Sequence, residues 1–474
     1  MTDQQVPSDG TTVEKHRLAL RGGVWGAAVI LVIALAFLTL AAINQSKIEG
    51  YVVAFLVPLL VAVFLAKDER EYGRAVIAGL SKPMFGIIAL GVILASLAGQ
   101  LVSQSGLIQS IAHMAVLAGL AGKDFAGVTF LVTCLISFST GTSVGTYFVV
   151  IPILFPAGVV VGAHPLFLIG SIAAGGAFGD NLAPVSDTTI ASATTQGVDL
   201  GGVVRSRMKY SLPVALVALV IYFVFSPSGE ALGEAPAERV KPMALIMLVV
   251  PAVVVTLCLL RKHLVTALAV GSMAGVAVGL LAGVFAPTQL LSFPGPFEIE
   301  GLLPGSVESA LPTLAFLMVV FPFLGLMEAS GTLEKLGDGI AKLARGPRSV
   351  EIATVLATGV LSMVTGVISV AIISIGDVVK TMGLKFKVDG YRRANLMDCA
   401  GATFCYIVPW TVHAIVPAML AGANNPLESG TPVSPLAVPM HNFYSWVMLA
   451  MLVISIVSGY GRSFVSDTRG GAGS

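Results

Sequence analysis

The chain has far too few charged residues for a soluble protein of its length. Only 11% of its 474 residues are charged and 56% are hydrophobic. Soluble globular domains use about 25% charged residues, so this composition excludes a soluble protein. It predicts an all-α polytopic membrane protein embedded in a lipid bilayer. The net charge of +1 gives no indication of a nucleic-acid partner.

Cysteine is also scarce, and several common motifs are missing. The four cysteines lie in apolar segments without a CxxC pair: Cys134, Cys258, Cys399 and Cys405. We therefore expect buried free thiols and no disulfide or metal role. The sequence lacks a phosphate-binding loop and a zinc-ligand cluster, so we expect no cofactor and no ATP-driven transport by this chain alone. The polar segment 1–22 does not resemble a signal peptide, so we expect the first hydrophobic helix to be retained.

Apolar segments of about 20 residues predict ten membrane spans. They lie at residues 23–44, 49–66, 83–103, 164–200, 209–226, 242–260, 263–285, 309–328, 391–424 and 440–460. Two further apolar stretches, 125–160 and 349–379, are interrupted midway by Ser139–Ser143 and by Thr365-Gly366.

The placement of basic residues decides what these two stretches are. Lysine and arginine cluster after the second span, before the fifth, after the sixth and on both sides of 349–379. The positive-inside rule assigns these loops and both termini to the cytoplasmic side of a cell (inner) membrane. The stretch 349–379 must then enter and return on one side, as a re-entrant hairpin. By the same reasoning, 125–160 is a hairpin that enters from the outside.

Weak self-similarity at one constant offset in residue number predicts an internal repeat. Thr140-Gly141 matches Thr365-Gly366, and at the same offset Pro184 matches Pro409. Each half holds five spans and one hairpin, and five is odd, so the halves have opposite orientations. We expect two inverted-topology repeats, at 23–230 and 240–461, flanked by cytoplasmic tails 1–22 and 462–474. Such repeats are typical of secondary transporters, in which broken helices meet near the membrane midplane.

The candidate site centres on a polar motif inside an apolar run, Gly175–Thr189. It contains Asp180, Asn181, Ser186, Asp187 and Thr188, and it is interrupted by Pro184. Proline destabilises a continuous helix, and broken backbone at membrane depth lines a cavity or protein interior. Carboxylates there, beside free carbonyls, predict a cation or proton site with Asp180 and Asp187 as its ligands.

Further candidates come from the two hairpin tips and from the second half. The first tip contributes Thr140, Gly141, Thr142 and Ser143, whose broken backbone can hold an ion; a simple kink at a close helix contact is the alternative. The second half contributes Thr365 and Thr411, with Asp398, Trp410 and His413 as further contributors. An ion pair with Arg392 or Arg393 is the competing interpretation of Asp398. A structural hydrogen bond is the competing interpretation of His413.

Several motifs resemble the NhaC-type sodium/proton antiporter family of the ion transporter superfamily. The resemblance rests on Gly179–Thr189, on Thr140–Thr146, and more weakly on Ala400-Gly401 and Val408–Trp410. It implies paired hairpins, broken helices and secondary transport driven by sodium or proton gradients. The sequence departs from the commoner family pattern at two places. Asn181 replaces a lysine, and Asp398-Cys399 replaces an adjacent Glu-Asp pair.

We therefore expect a secondary transporter, not an enzyme. The favoured hypothesis is Na⁺/H⁺ antiport by alternating access, with the two ions competing at Asp180, Asp187 and the hydroxyls of Ser186, Thr188 and Thr140. One alternative is Na⁺- or H⁺-coupled transport of an amino acid or organic acid. A distant alternative is an intramembrane aspartyl protease. The sequence leaves open a small organic solute as a partner and a homodimer as the assembly.

The repeat also predicts that the two halves differ at the site. When the halves are aligned at the repeat offset, Asp180 falls on Cys405 and Asp187 falls on Val412. The fold is duplicated but its carboxylates are not, so we expect the charge of the site to lie in the first half.

Overall fold

The structure is a computed structural model that describes residues 18–44, 46, 48–117, 122–229, 242–260, 262–425 and 433–465. Within these ranges the chain forms helices joined by short turns, with four isolated β-bridges and no strand. The predicted all-α class is therefore confirmed. Residues 1–17 and 466–474 of the predicted tails, and residues 230–241 between the repeats, lie outside the described ranges.

The first half contains ten helices. They are α1 (Val24–Ile43), α2 (Ile48–Leu65), α3 (Glu69–Leu80), α4 (Pro83–Gln104), α5 (Leu107–Leu117), α6 (Gly122–Thr140), α7 (Ser143–Val160), α8 (Pro165–Leu182), α9 (Asp187–Gln196) and α10 (Leu200–Val224). Two of these begin with proline, which suits the first position of a helix because its missing N–H has no intrahelical partner there.

The second half begins with a 3₁₀ segment, Pro242–Leu248, and continues with eleven helices. They are α11 (Val249–Leu259), α12 (Leu264–Leu281), α13 (Pro287–Leu290), α14 (Leu302–Ala329), α15 (Thr332–Ala341), α16 (Pro347–Thr365), α17 (Ile368–Lys385), α18 (Gly390–Phe404), α19 (Val412–Ala423), α20 (Ala437–Met440) and α21 (Phe443–Ser458).

Every predicted span coincides with a helix or with a broken pair of helices. In the described part of the chain, nine helical segments are long and apolar enough to cross a membrane, and four shorter apolar helices accompany them. The chain is therefore a multi-pass membrane protein. The predicted span 164–200 is broken into α8 and α9, and the predicted span 391–424 is broken into α18 and α19. Both breaks contain the proline that predicts them, Pro184 and Pro409.

The interrupted stretches each form two helices joined by a short turn. Gly141 and Gly366 adopt left-handed backbone, with φ of 69° and 64°, which favours glycine. A Cβ added to Gly122, at the start of α6, would collide with the backbone of Gly162, just after α7. The two ends of the α6–α7 pair are therefore adjacent, and the pair folds back on itself. Re-entry from one membrane face remains a prediction.

The helix boundaries repeat at the offset found in the sequence. Helices α6, α7, α8 and α9 begin at positions 122, 143, 165 and 187, and α16, α17, α18 and α19 begin at 347, 368, 390 and 412, so all four pairs share one offset. The packing between halves is reciprocal, because α7 packs on α19 and α17 packs on α9. This exchange of partners is what a two-fold relation between the halves would produce. The inversion itself remains a prediction.

Parts of both predicted tails are in contact with the helix bundle. Leu18 and Leu20 are buried, and the N–H of Leu18 donates to the carbonyl of Ala329 at 2.8 Å. At the other end, Arg462 pairs with the buried Glu351 at 2.6 Å. All four cysteines are free and buried, which confirms the prediction.

Candidate functional site

A small cavity of about 50 Å³ lies where the two hairpin turns meet the two broken helices. Each of the helices α7, α9, α17 and α19 begins at this cavity, with Ser143, Asp187, Ile368 and Val412 at their first positions. The other lining residues come from these elements and from α4, α8 and α14: Met84, Ile88, Thr142, Val144, Asp180, Thr188, Phe321, Gly366, Val367, Ser369 and His413. Of the predicted site residues, the structure thus brings Thr142, Ser143, Asp180, Asp187, Thr188 and His413 together.

Asp180 is the buried carboxylate of this cavity, with 5% of its surface exposed. The N–H of Ser143 donates to one carboxylate oxygen at 2.9 Å, and the hydroxyl of Ser143 donates to the other at 2.6 Å. The hydroxyl of Tyr406 donates to that second oxygen as well. Three uncharged donors therefore hold the carboxylate, and two of them can rotate.

His413 joins the same cluster from the second half of the chain. Its Nδ1 lies 3.1 Å from the Ser143 hydroxyl, and its ring stacks on Tyr406 at a centroid distance of 4.2 Å. The predicted structural hydrogen bond of His413 is thus present, and it is made within the candidate site. The hydroxyl of Ser143 touches both Asp180 and His413 and so links the two halves.

The local sequence explains how the first hairpin reaches Asp180. Thr142 has extended backbone and caps α7, accepting a hydrogen bond from Gly145 N–H. Because Ser143 is the first residue of α7, its N–H has no partner within the helix. A Cβ on Gly141 would collide with Val185 and Ser186, so the turn can rest on the unwound segment only without a side chain. The predicted close contact at Gly141 is therefore present, and the binding role of this turn remains a prediction.

Small residues let the helix that carries Asp180 approach its neighbours. A Cβ on Gly175, Gly176 or Gly179 would collide with Thr133, Tyr147 or Ser137, respectively. These contacts bring α8 against α6 and α7, and such small-residue interfaces are typical of helix packing in membranes. The glycines of the motif therefore position the carboxylate.

No cation partner accompanies Asp180 among the residues that the structure describes. The ion pairs found there involve Glu71, Glu328, Asp398 and Glu351, and Asp180 takes part in none of them. Burying an unpaired carboxylate is costly. Asp180 therefore needs either a proton or a bound cation.

Asp398 has the opposite environment. It is fully buried and pairs with Arg207 at 2.6 Å, and both side chains have 0% exposure. The competing interpretation of Asp398, an ion pair with Arg392 or Arg393, is therefore right about an ion pair but wrong about the partner. Arg392 pairs with Glu351 at 2.9 Å, and Arg393 donates to Gln196 at 2.8 Å. The physical reason is position along α18. Both arginines lie in its first turn, more than one turn before Asp398, and so lie nearer the end of the bundle.

Arg207 is the main residue that the sequence reasoning misplaced. Its charge places it with the cytoplasmic basic residues, yet it lies inside α10 and is fully buried. Besides Asp398, it donates to the carbonyl of Asn181 at 2.6 Å and to the hydroxyl of Thr189 at 2.9 Å. The spacing along α10 could have indicated that Arg207 is buried, because it lies one helical turn from Val203 and one from Ser211, which are both buried.

Asp187 is placed differently from Asp180. It is exposed, it begins α9 directly after the unwound segment, and it lines the cavity beside Asp180. A carboxylate at a helix N-terminus is favourably placed with respect to the helix dipole. The start of α9 thus favours the carboxylate of Asp187 at the cavity.

Four other predicted site residues lie around this cavity and do not line it. Ser186 packs behind Thr188, with their hydroxyls 3.0 Å apart. Thr365, Trp410 and Thr411 line a separate apolar cavity of about 250 Å³. The indole N–H of Trp410 donates to the carbonyl of Met363 at 2.8 Å, which gives it a structural partner.

Thr140 faces away from the carboxylate. Its hydroxyl lies 3.2 Å from that of Thr146. It lines another cavity, of about 200 Å³, together with Thr142 and Lys262. Thr142 lines both this cavity and the one that holds Asp180.

The two positions that depart from the commoner family pattern touch each other. The amide nitrogen of Asn181 lies 3.6 Å from the sulfur of Cys399, and both residues are buried. The amide oxygen of Asn181 also accepts from Ser211 at 2.5 Å and from Tyr444 at 3.0 Å. The departures are therefore neighbours in one uncharged network, so Asn181 supports α8 and does not line the cavity.

Tyr406 belongs to the candidate site, although the sequence did not single it out. It is buried and donates directly to Asp180 from the break of the second broken helix. The repeat offset pairs Tyr406 with Asn181, the neighbour of Asp180 in the chain, and this is the signal that could have found it.

Comparison with known proteins gives matches along most of the chain. The model of the Na⁺/H⁺ antiporter family matches residues 16–226 and 235–460. The Na(+)/H(+) antiporter NhaC of Alkalihalophilus pseudofirmus is 22% identical over 404 residues, which cover 80% of this chain and 86% of that protein.

Two relatives have names that include organic substrates. The malate-2H(+)/Na(+)-lactate antiporter of Bacillus subtilis is 21% identical over 435 residues, which cover 88% of this chain and 90% of that protein. The arginine/ornithine antiporter ArcD of Halobacterium salinarum is 23% identical over 345 residues, which cover 66% of this chain and 70% of that protein.

Proposed function

Since this chain belongs to the Na⁺/H⁺ antiporter family and is a secondary transporter rather than an enzyme, we propose that it exchanges Na⁺ for H⁺ across a cell membrane. The intramembrane protease alternative is thereby wrong. The proposed exchange takes place at the cavity that holds Asp180 and Asp187.

The observation that carries the proposal is the unpaired burial of Asp180. Its described partners are hydroxyls and one backbone N–H. A proton or a small cation each removes the cost of the buried charge, and one carboxylate cannot accommodate both at once. Competition between the two ions at Asp180 therefore makes Na⁺ binding release a proton, which is the basis of exchange.

The surrounding groups suit both occupied states. The hydroxyls of Ser143 and Tyr406 donate to the bare carboxylate, and either can rotate to offer an oxygen to Na⁺. Asp187 adds a second carboxylate at the same cavity and favours cation entry through its charge. We assign Thr188 to the same site because its hydroxyl donates to the carbonyl of Asp180 at 2.9 Å.

The proposed mechanism uses the repeat. We propose that the two repeats are inverted in the membrane, with α6–α7 and α16–α17 as re-entrant hairpins and both termini in the cytoplasm. The reciprocal packing of α7 on α19 and of α17 on α9 supports this arrangement. Alternating access then comes from movement of these hairpins and broken helices against α2, α4 and α14.

Transport of an organic acid or amino acid is the second candidate. It is supported by the names of two relatives and by the four helix N-termini at the cavity, which favour anionic groups. Its weakness is size. The cavity of about 50 Å³ is little more than the share of one water molecule in the liquid, about 30 Å³. In this conformation the cavity suits an inorganic ion.

The test is proton flux in proteoliposomes that contain the purified protein. We expect Na⁺ alone to dissipate an imposed pH gradient, and we expect Asp180→Asn to abolish this flux and Asp187→Asn to reduce it. Full flux in both variants would refute the proposal. Flux that requires an added carboxylate or amino acid would favour the second candidate.

A further inference from the structure

A second, larger cavity lies on the same helices as the candidate site. It has a volume of about 350 Å³ and is lined by α2, α4, α14 and α19 and by the segments beside them. Its hydroxyl-bearing lining residues are Ser46, Tyr51, Ser96, Ser309, Thr313 and Ser434. We call this cavity the vestibule.

The position of the vestibule relates it to Asp180. On α4, Ile88 lines the site cavity, and Val92 and Ser96 line the vestibule one and two turns further on. On α19, Val412 lines the site cavity and Ile415 lines the vestibule. At a rise of about 1.5 Å per residue, the step from Ile88 to Val92 is only about 6 Å.

The vestibule extends to the ends of the surrounding helices. Ser46 lies in the turn between α1 and α2, Gly422 lies in the last turn of α19, and Ser434 follows in the segment before α20. These are loop and helix-end positions, which lie toward a membrane face. The vestibule therefore lies between one membrane face and the site.

Most of the lining is apolar, but its six hydroxyl-bearing residues offer hydrogen-bond partners to water. All the lining side chains are uncharged, and the hydroxyl of Tyr51 is buried without a hydrogen-bond partner in the described part of the protein. Buried polar groups almost always have a partner, either protein or ordered water. A volume of about 350 Å³ has room for several waters at about 30 Å³ each.

An apolar layer separates the vestibule from the site. It consists of Ile88 on α4, Phe321 on α14 and Val412 on α19, all buried. Apolar constrictions of this kind gate ion pathways by excluding water.

We propose that the vestibule is a hydrated access site for the transported cation, in which the hydroxyls of Tyr51, Ser96 and Thr313 replace part of its water shell. The inference rests on the proposed function and adds to it the route by which the ion reaches Asp180. It also assigns Tyr51, in the first half of α2, a role in ion selection.

Cysteine accessibility tests the route. Ser96→Cys is nearly isosteric and lies in the vestibule, whereas the matched control Leu90→Cys lies on the same helix with 51% exposure to the lipid side. The wild-type chain reports any background from its four buried cysteines. The probe is the impermeant cationic thiol reagent 2-(trimethylammonium)ethyl methanethiosulfonate.

We expect Ser96→Cys to react from one membrane face and to lose most of its Na⁺-driven proton flux after labelling. We expect Leu90→Cys to stay unreactive because it faces hydrocarbon. Added Na⁺ should slow the labelling of Ser96→Cys. Labelling slowed by a neutral solute and not by Na⁺ would overturn the proposal, as would an unreactive Ser96→Cys.

Tyr51→Phe tests the ligand role without changing the shape of the cavity. We expect the Na⁺ concentration for half-maximal flux to rise about threefold, as the loss of one hydrogen-bonding group implies. Tyr72→Phe is the control, since its hydroxyl donates to the carbonyl of Leu59 at 3.0 Å outside the vestibule. Equal behaviour of the two variants would contradict the assignment.

The variants Asp180→Asn and Ser96→Cys report separately on the site cavity and on the vestibule. If Asp180→Asn abolishes flux but Ser96→Cys cannot be labelled, the vestibule proposal fails and the proposed function stands. If Asp180→Asn retains full flux, the proposed function fails and the access role assigned to the vestibule fails with it.

Discussion

The two broken helices each carry one buried aspartate on their first half, and the two aspartates have opposite environments. Asp180 on α8 is held by uncharged donors and borders a cavity. Asp398 on α18 is fixed by the guanidinium of Arg207. The same side chain in a duplicated fold thus lacks a cation partner among the described residues in one repeat and is paired with a buried arginine in the other. The difference lies in the neighbours.

One hydroxyl connects the two environments. Thr188 donates to the carbonyl of Asp180 at 2.9 Å and lies 3.2 Å from a carboxylate oxygen of Asp398. A hydroxyl has a single proton, so a change at one aspartate alters what Thr188 can offer the other. Through Thr188, Asp398 is therefore connected to the backbone of the helix that carries Asp180.

The largest expected effect is a difference in transport activity between the Asp180→Asn and Asp398→Asn variants. Asp180→Asn keeps the shape of the side chain but removes the charge for which Na⁺ and H⁺ compete, so we expect complete loss of Na⁺-driven proton flux. Asp398→Asn should retain measurable flux in whatever fraction of protein folds. Flux normalised to folded protein in proteoliposomes checks this. Equal losses in the two variants would remove the distinction between the aspartates.

The next largest effect is on stability, where we expect substitution of Asp398 to have a larger effect than substitution of Asp180. Removing one partner of a buried ion pair costs about 3–5 kcal/mol because the other charge is left uncompensated. We expect Asp398→Asn and Arg207→Gln to lower the thermal stability of the purified protein strongly, and the double variant to lose less than the sum. Asp180→Asn should be neutral or stabilising. Additive losses would show that the two residues are not coupled.

A smaller effect is expected at Tyr406. Tyr406→Phe removes one donor to Asp180 and leaves the carboxylate in place, so we expect the balance between Na⁺ and H⁺ to shift and transport to remain. The Na⁺ concentration for half-maximal flux should change about three- to tenfold, as one hydrogen bond to a charged group implies. Measuring flux against Na⁺ at several pH values checks this. Tyr444→Phe, which affects Asn181 and not Asp180, is the control.

The smallest effect is expected at Thr140. Its hydroxyl bonds within the hairpin and lines a different cavity, so Thr140→Ala should change the Na⁺ requirement less than about twofold, within the range of surface substitutions. Ser143→Ala, on the other side of the turn, removes a donor to Asp180 and should have a clearly larger effect. If Thr140→Ala has the larger effect of the two, the cavity that holds Asp180 is not the ion site.

Much of the fold could be predicted from the sequence because membranes impose simple rules. Apolar length defined the helices, and the prolines at 184 and 409 marked both breaks. The constant offset between the halves, seen weakly in the sequence, reappears in the starting positions of four pairs of helices. Asp180, Ser143 and His413 could be singled out because polar residues in apolar segments are rare and costly.

The pairing within the site could not be predicted. Arg207 lies within a basic cluster that charge rules assign to the cytoplasm, and only tertiary packing brings it to Asp398. Tyr406 looks like an ordinary aromatic residue until the fold places it against Asp180. The hydroxyl of Thr140 was expected at the carboxylate but lies away from it. Sequence spacing does not reveal which side of a turn a residue faces.

Proton release on sodium binding tests the central claim most directly. Na⁺ is added to the purified protein in weakly buffered detergent solution near neutral pH, and the change in pH is recorded with choline as the control cation. The account predicts proton release by the wild type, none by Asp180→Asn, and retained release by folded Asp398→Asn. Undiminished release by Asp180→Asn would contradict the claim that Na⁺ and H⁺ compete at this carboxylate.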